Sequence, residues 1–483
     1  MRNLWFLFLC AVSISLYAQK AAKPERFAKT VTAADLKKQL YIIAAPEMEG
    51  RETATEGQRK AAAYIESEFR RIGLQPGVNG SFQQAFPVYQ DSLLDAKLEV
   101  NGQAFKQDID FNANVNSPMA TLRFSEVLFV PAGLTDDSLM TMNFKGRLVM
   151  LQAAAGARYA LLQNSGAAAI LLISGAYPRA TPVMRTTQML HGFKKVMPPQ
   201  QFSISPAVAN TILKSSPDSL QQTTVVKTYK SNILLEVRKQ TTELQSTNVV
   251  GVLPGTDLKD EYLFLTAHYD HIGKRDTVIN YGADDDGSGT ASVIELAEAF
   301  AKAKAAGKGP RRSIVFMTVS GEEKGLWGSE YYGDHPLFPL EKTTADLNID
   351  MIGRSDPKRT KGDSLNYVYV VGDDKLSSDL RVISEAANNR YTKLELDYKY
   401  NAPDDEEFIY YRSDHYNFAK NGVPVIFYFN GTHADYHRPT DTPDKINYSL
   451  LAKRAQLVFY TAWEMANRPQ LLKRDLPLPL LLR

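Results

Sequence analysis

From about Ser246 to Arg468 the chain alternates apolar runs with amphipathic stretches. The runs "YLFLTA", "SIVFMTV", "LNIDMI", "YVYVV" and "VPVIFYF" contain almost no polar positions. Between them lie segments such as "SGTASVIELAEAFAKAKAAG", in which Val293, Leu296, Ala297 and Phe300 fall on one helical face. Strands that are apolar throughout, separated by helices, predict an α/β domain whose sheet is covered on both faces. Upstream, from about Lys20 to Val88, "TEGQRKAAAYIESEFRRIGL" places Ala61, Ile65, Phe69 and Ile72 at helical spacing and Gly73 at the stop. That helix must pack on a core built elsewhere. From about Leu94 to Tyr229 the runs shorten, and "RLVMLQ", "ARYALLQNSG" and "AAAILLIS" read as strand, helix and strand of a smaller α/β insert. The tail "DLPLPLLLR" holds too many prolines for a helix. The expected division is 1–18 as a leader, 19–93 as the first part of the main domain, 94–229 as the insert and 230–483 as the rest of the main domain.

Composition narrows this little. The 483 residues are 44% hydrophobic and 23% charged, and 56 basic residues face 54 acidic ones, so no basic field gathers nucleic acid. The opening "MRNLWFLFLCAVSISLYAQK" has Arg2, an uncharged apolar stretch from Leu4 to about Leu16, and Ala18 before Gln19. This is the pattern of an export signal cut after Ala18. The stretch is shorter than the roughly 20 residues of a spanning helix, and no later run is long enough, so no membrane span is expected. Cys10 is the single cysteine, which leaves the mature chain without a disulfide.

The polar residues that interrupt this pattern cluster at strand ends, where α/β sheets collect ligands. His268, Asp270 and His271 follow "YLFLTA"; Glu322 and Glu323 follow "SIVFMTV"; Asp350 sits within "LNIDMI"; His433, Asp435, Tyr436 and His437 follow "VIFYFNGT". "GADDDGSG" puts Asp284, Asp285 and Asp286 in a turn before a helix. Taken singly, a histidine is most often structural, "DDD" before a helix is most often a solvated cap, and "EE" at a turn is most often exposed. Yet four of the seven histidines fall in these segments, and a carboxylate within an apolar strand is costly unless a cation offsets it. His, Asp, Glu, Asp and His from five segments form an oxygen and nitrogen set suited to zinc.

"TAHYDHIG", "GADDDGSG", "SGEEKGLWGS", "NIDMIGR", "SDHYNF" and "YHRPTDTPDKI" together resemble the co-catalytic dizinc exopeptidases of clan MH, family twenty-eight. The likeness spans about Ser246 to Arg468 and the stretch "MEGRETATEGQRKAAAYI". The insert, with "FKGRLVMLQ" and "LLQNSGAAAILLIS", resembles a protease-associated domain. The resemblance implies a mixed, mostly parallel sheet and two zinc ions. His268 and Asp350 would hold one ion, Glu323 and His437 the other, and Asp285 would bridge them. It further implies Glu322 as general base, Asp270 as the carboxylate orienting His268 through its distal nitrogen, and Tyr436 as a phenol donating to the developing oxyanion. The expected activity is removal of N-terminal residues from peptides with a free N-terminus, outside the cytoplasm. A single-zinc glutaminyl cyclase, a glutamate carboxypeptidase and a non-catalytic binding protein on the same fold are the rival expectations. The carboxypeptidase would need a cation for the substrate's C-terminus, with Arg354, Arg412 and Arg438 near the motifs.

Overall fold

The computed structural model describes residues 23–152, 162, 165–178, 188–192, 197–215 and 225–478. The expected leader, most of the expected helix at 157–166 and the end of the proline-rich tail lie outside the described residues. The chain divides into two compact units, one of Met1–Gln84 with Thr247–Arg483 and the other of Ala85–Ser246. The second contains the expected insert of 94–229.

In the larger unit, α1 (Ala33–Ile43) and α2 (Glu56–Ile72) precede the sheet. The Thr55 side chain accepts from Gln58 N to start α2, and Gly73, with φ of 85°, closes it in the left-handed conformation that costs glycine nothing. The buried face carries Ala61, Ile65 and Phe69, as the periodicity requires. The sheet is built from the last residues, from Thr247 on, of β1 (Lys227–Leu253), and from β2 (Leu258–His268), β3 (Arg312–Val319), β4 (Thr343–Ile349), β5 (Tyr367–Val371), β6 (Glu395–Asp397) and β7 (Val425–Phe429). Helix α3 (Gly289–Ala305) lies between β2 and β3, and α4 (Tyr448–Asn467) follows β7.

Strand order is β6-β5-β7-β4-β2-β3-β1. The pairs β2/β3, β2/β4, β4/β7 and β5/β6 are parallel. Residues 249–253 of β1 pair antiparallel with β3, and β5 with β7, so the sheet is mixed and mostly parallel. Successive residues alternate between two cores: Leu263, Leu265 and Ala267 join one with Ile314 and Phe316, whereas Phe264 joins the other with Val315 and Met317. The first core also takes Leu36, Phe69, Phe300 and Phe459 from α1, α2, α3 and α4, and the second takes Tyr332, Tyr400 and Phe418. Both faces are therefore covered, which is why the strands read as apolar throughout. Helix α3 is buried nearly all round, not on the one face that the spacing marks. Its first residue must be glycine, because a Cβ at Gly289 would overlap the Asp286 carboxylate and the Ile349 carbonyl.

In the smaller unit, the strands Ala120–Val130, Leu148–Gln152, Ala169–Ile173 and Gln200–Ile204 run parallel in that order. Phe111, Phe129, Met150, Leu171 and Phe202 form its core. Among the described residues no helix is long and apolar enough to cross a membrane.

Candidate metal centre

The carboxyl ends of β2, β3 and β4 bring three of the polar segments to one place. His268 ends β2 and is buried. Its Nδ1 lies 3.1 Å from the Asp270 carbonyl and 3.8 Å from the Asp270 carboxylate. The main-chain oxygen, and not the expected carboxylate, is thus the nearer acceptor. The carboxylate is engaged elsewhere: Thr53 Oγ1 donates to it at 2.7 Å and Glu322 N at 3.3 Å. Asp270 thereby ties the β2 end to the turn after β3, and its carbonyl lies beside the imidazole.

The turn 282–288 is buried, with Asp284, Asp285 and Asp286 no more than 3% exposed, so the triplet is no solvated cap. Asp441 accepts from the backbone N–H of Asp284 at 3.0 Å and of Asp285 at 3.2 Å. Asp284 accepts from Gly353 N and faces His433 at 3.2 Å, and Asp286 accepts from Gly289 N and Met351 N. Arg51, fully buried, donates to the carbonyls of Ile43, Tyr269, Tyr281 and Gly282. It pins the β2 end and the aspartate turn to the N-terminal segment. Burial lowers its pKa to about 10, while Asp270 and Asp285 oppose that fall.

Asp285 occupies the middle of the site. Its Oδ1 is 3.3 Å from His268 Nε2, and its Oδ2 is 3.1 Å from His437 Nε2 and 3.7 Å from His271 Nδ1. On one side His268 Nε2 also stands 3.6 Å from Asp350 Oδ1 and 3.9 Å from Glu322 Oε2. Asp350 follows β4 directly, not inside the strand, and Ser413 Oγ donates to its other oxygen at 2.7 Å. On the other side Glu323 lies 3.0 Å from His437 and 2.7 Å from His271. His437 takes a left-handed φ of 56°, and the Tyr436 ring stacks on it at 3.9 Å.

The structure therefore brings together His268, Asp285, Glu322, Glu323, Asp350, Tyr436 and His437, with only the Asp270 carboxylate displaced from its expected contact. His271 and Asp286 join them without having been singled out as ligands; an imidazole three positions after His268 was the available signal. Arg51, Thr53, Ser413 and Asp441 gave none as single residues. His415 packs between Phe427 and Tyr410, and burial lowers its pKa to about 3. It is a neutral packing group.

His268 Nε2, Asp285 Oδ2, Asp286 Oδ2 and Glu323 Oε1 are buried and lack a hydrogen bond of good geometry. Donor atoms of His268, Asp286 and Asp350 lie within 4.8 Å of one another, as do those of His271, Asp285 and Glu323. Atoms that converge without bonding one another, in a site crowded with acids, fit a cation better than they fit a closed polar network. Without one, burial drives the Glu322 pKa well above the carboxylate range, helped by Glu323 and Asp350 and opposed by His268. Burial likewise raises Asp286, with Asp350 adding to it. A cleft lined by Glu322, Asp350, Met351, Ile409, Arg412, Phe427, Phe429, Thr432 and Tyr436 adjoins the acids.

Residues 248–462 match the model of peptidase family M28. The chain is 29% identical over 46% of its length to a probable zinc metalloprotease of Pyricularia oryzae, covering 50% of that protein. It is 23% identical over 87% of its length to the aminopeptidase YwaD of Bacillus subtilis, covering 83% of it. The chain thus spans about half the length of the probable zinc metalloproteases it matches. Among solved structures, an aminopeptidase from Aneurinibacillus sp. strain AM-1 superposes with a TM-score of 0.58 at 19% identity, over 95% of this chain and 100% of that one. A zinc aminopeptidase of Bacillus subtilis gives 0.53 at 20%, over 92% and 98%. These likenesses show the fold.

Proposed function

Residues 248–462 form a peptidase family M28 domain, and from that premise we propose that the protein is a zinc aminopeptidase acting on peptides with a free N-terminus. The observation that carries the reading is the Asp285 carboxylate, which has one oxygen toward His268 and the other toward His437. In this reading His268 and Asp350 would hold one zinc ion, Glu323 and His437 the other, and Asp285 would serve both. Zinc supplies Lewis acidity that polarises the scissile carbonyl and lowers the pKa of water at the site.

The chain's own groups do the rest. Glu322 stands beside the ligand set without belonging to it, so its carboxylate is free to take a proton from the attacking water and deliver it to the departing amine. Glu323, next in sequence and 3.0 Å from His437, would be committed to the metal, which explains why two adjacent acids are required. The Tyr436 phenol, held by its stack on His437, donates to the oxygen on which negative charge develops. The acid cluster attracts the substrate's α-ammonium group and confines cleavage to chain ends. Asp270 positions His268 through its carbonyl.

The reading extends to export, on the pattern of residues 1–18, and to a protease-associated identity for the insert at 94–229, supported by the parallel strands of that unit. The test is hydrolysis of amino acid p-nitroanilides by purified protein with and without a chelator, followed by zinc add-back. Cleavage that stops with the chelator and returns with zinc is expected. Chelator-insensitive cleavage, or none on any free-amine substrate after zinc loading, would remove the proposal.

A further inference from the structure

Arg412 lines the substrate cleft together with Glu322, Asp350 and Tyr436, and it is the one cation among the lining side chains. A guanidinium carries five N–H donors in a planar fork matched to a carboxylate. Among the described residues that fork makes one contact, from Nη2 to the Tyr436 phenol oxygen at a long 3.4 Å. No acid among the described residues pairs with Arg412 within ion-pair distance, whereas Arg354 is held by Asp435 at 2.9 Å and Asp441 at 3.8 Å. Arg438 is not among the cleft-lining residues. Ile409, Phe427 and Phe429 border the same cleft, and Arg412 itself is exposed, so its fork is open to a ligand entering there.

We infer that Arg412 binds a carboxylate of the substrate, so that peptides with a carboxylate close to the scissile bond are favoured over neutral ones. The inference rests on the peptidase reading and deepens it. The carboxylate has two sources, an acidic side chain on the N-terminal residue or the C-terminus of a dipeptide, and the chemistry at Arg412 is the same for both.

The experiment measures binding of two matched pairs by titration calorimetry to zinc-loaded protein carrying Glu322→Gln, in which the ligands are not turned over. Glutamate α-amide against glutamine α-amide isolates the side-chain carboxylate; Leu-Gly against Leu-Gly amide isolates the C-terminal one. In that background the protein with Arg412 intact is expected to prefer the carboxylate member of at least one pair by about tenfold. Arg412→Gln should abolish that preference, and Arg412→Lys, which keeps the charge but not the fork, should restore part of it. Near-equal binding within both pairs, or a preference that Arg412→Gln leaves intact, overturns the inference. So does a uniform fall in kcat across substrates with unchanged binding ratios, which would show Arg412 serving the Tyr436 phenol. Failure of zinc-loaded wild-type protein to cleave any free-amine substrate would count against the peptidase reading alone, because the binding ratios are read without turnover.

Discussion

Asp285 Oδ2 stands 3.1 Å from His437 Nε2, yet no hydrogen bond of good geometry ends on that oxygen. That oxygen is therefore left to find its partner at a point within reach of His437 as well. If that point is a cation shared through Asp285, replacing Asp285 by Asn removes the bridging charge while keeping the shape. Zinc content measured by native mass spectrometry should fall from two ions per wild-type chain to one or none. Two ions bound as tightly in the variant as in wild-type protein would contradict the bridging role.

Glu322 lies 3.9 Å from His268 Nε2 and is assigned the proton transfer and not metal binding. Glu322→Gln should lower kcat by about 10²- to 10⁴-fold, the usual worth of a positioned base, and leave zinc content unchanged. A variant that loses zinc together with activity would place Glu322 among the ligands.

Arg51 donates to four carbonyls from a fully buried position. Arg51→Met leaves those acceptors without their donor and should destabilise the fold by about 3 kcal/mol or more. Urea unfolding monitored by circular dichroism checks this, and a loss below about 1 kcal/mol would mean that water replaces the guanidinium at little cost.

Glu295 on α3 is buried against Gln39 of α1, whose side chain donates to it at 3.1 Å. Burial raises its pKa from 4.5 to about 7. The acid is harder to ionise folded than unfolded, so the unfolded state releases its proton first as pH rises. Stability is full below pH 4.5 and falls as pH rises through about 7. Glu295→Gln should therefore raise the melting temperature at pH 8 and change it little at pH 4.5. Equal shifts at both pH values would point to packing and not to charge.

The larger unit was legible in the sequence wherever one side of an element repeats. The all-apolar runs around Phe264 and Phe316 announced strands buried on both faces, and Ala61, Ile65 and Phe69 announced α2 with its stop at Gly73. The candidate ligands were legible for a related reason: a polar residue ending an apolar strand must be paid for, and His268, Glu323 and Asp350 all stand at such ends.

What the sequence determined by itself was the kind of element and the places where its apolar pattern breaks, because both depend on near neighbours along the chain. Tertiary structure alone decided which atoms meet. It turned the Asp270 carbonyl toward His268 and gave the carboxylate to Thr53, brought His271 beside Glu323, drew Arg51 onto two distant turns, and placed Arg412 in the cleft. Those outcomes depend on loop paths and on contacts between segments hundreds of positions apart, and no local periodicity carries the direction in which such a side chain points.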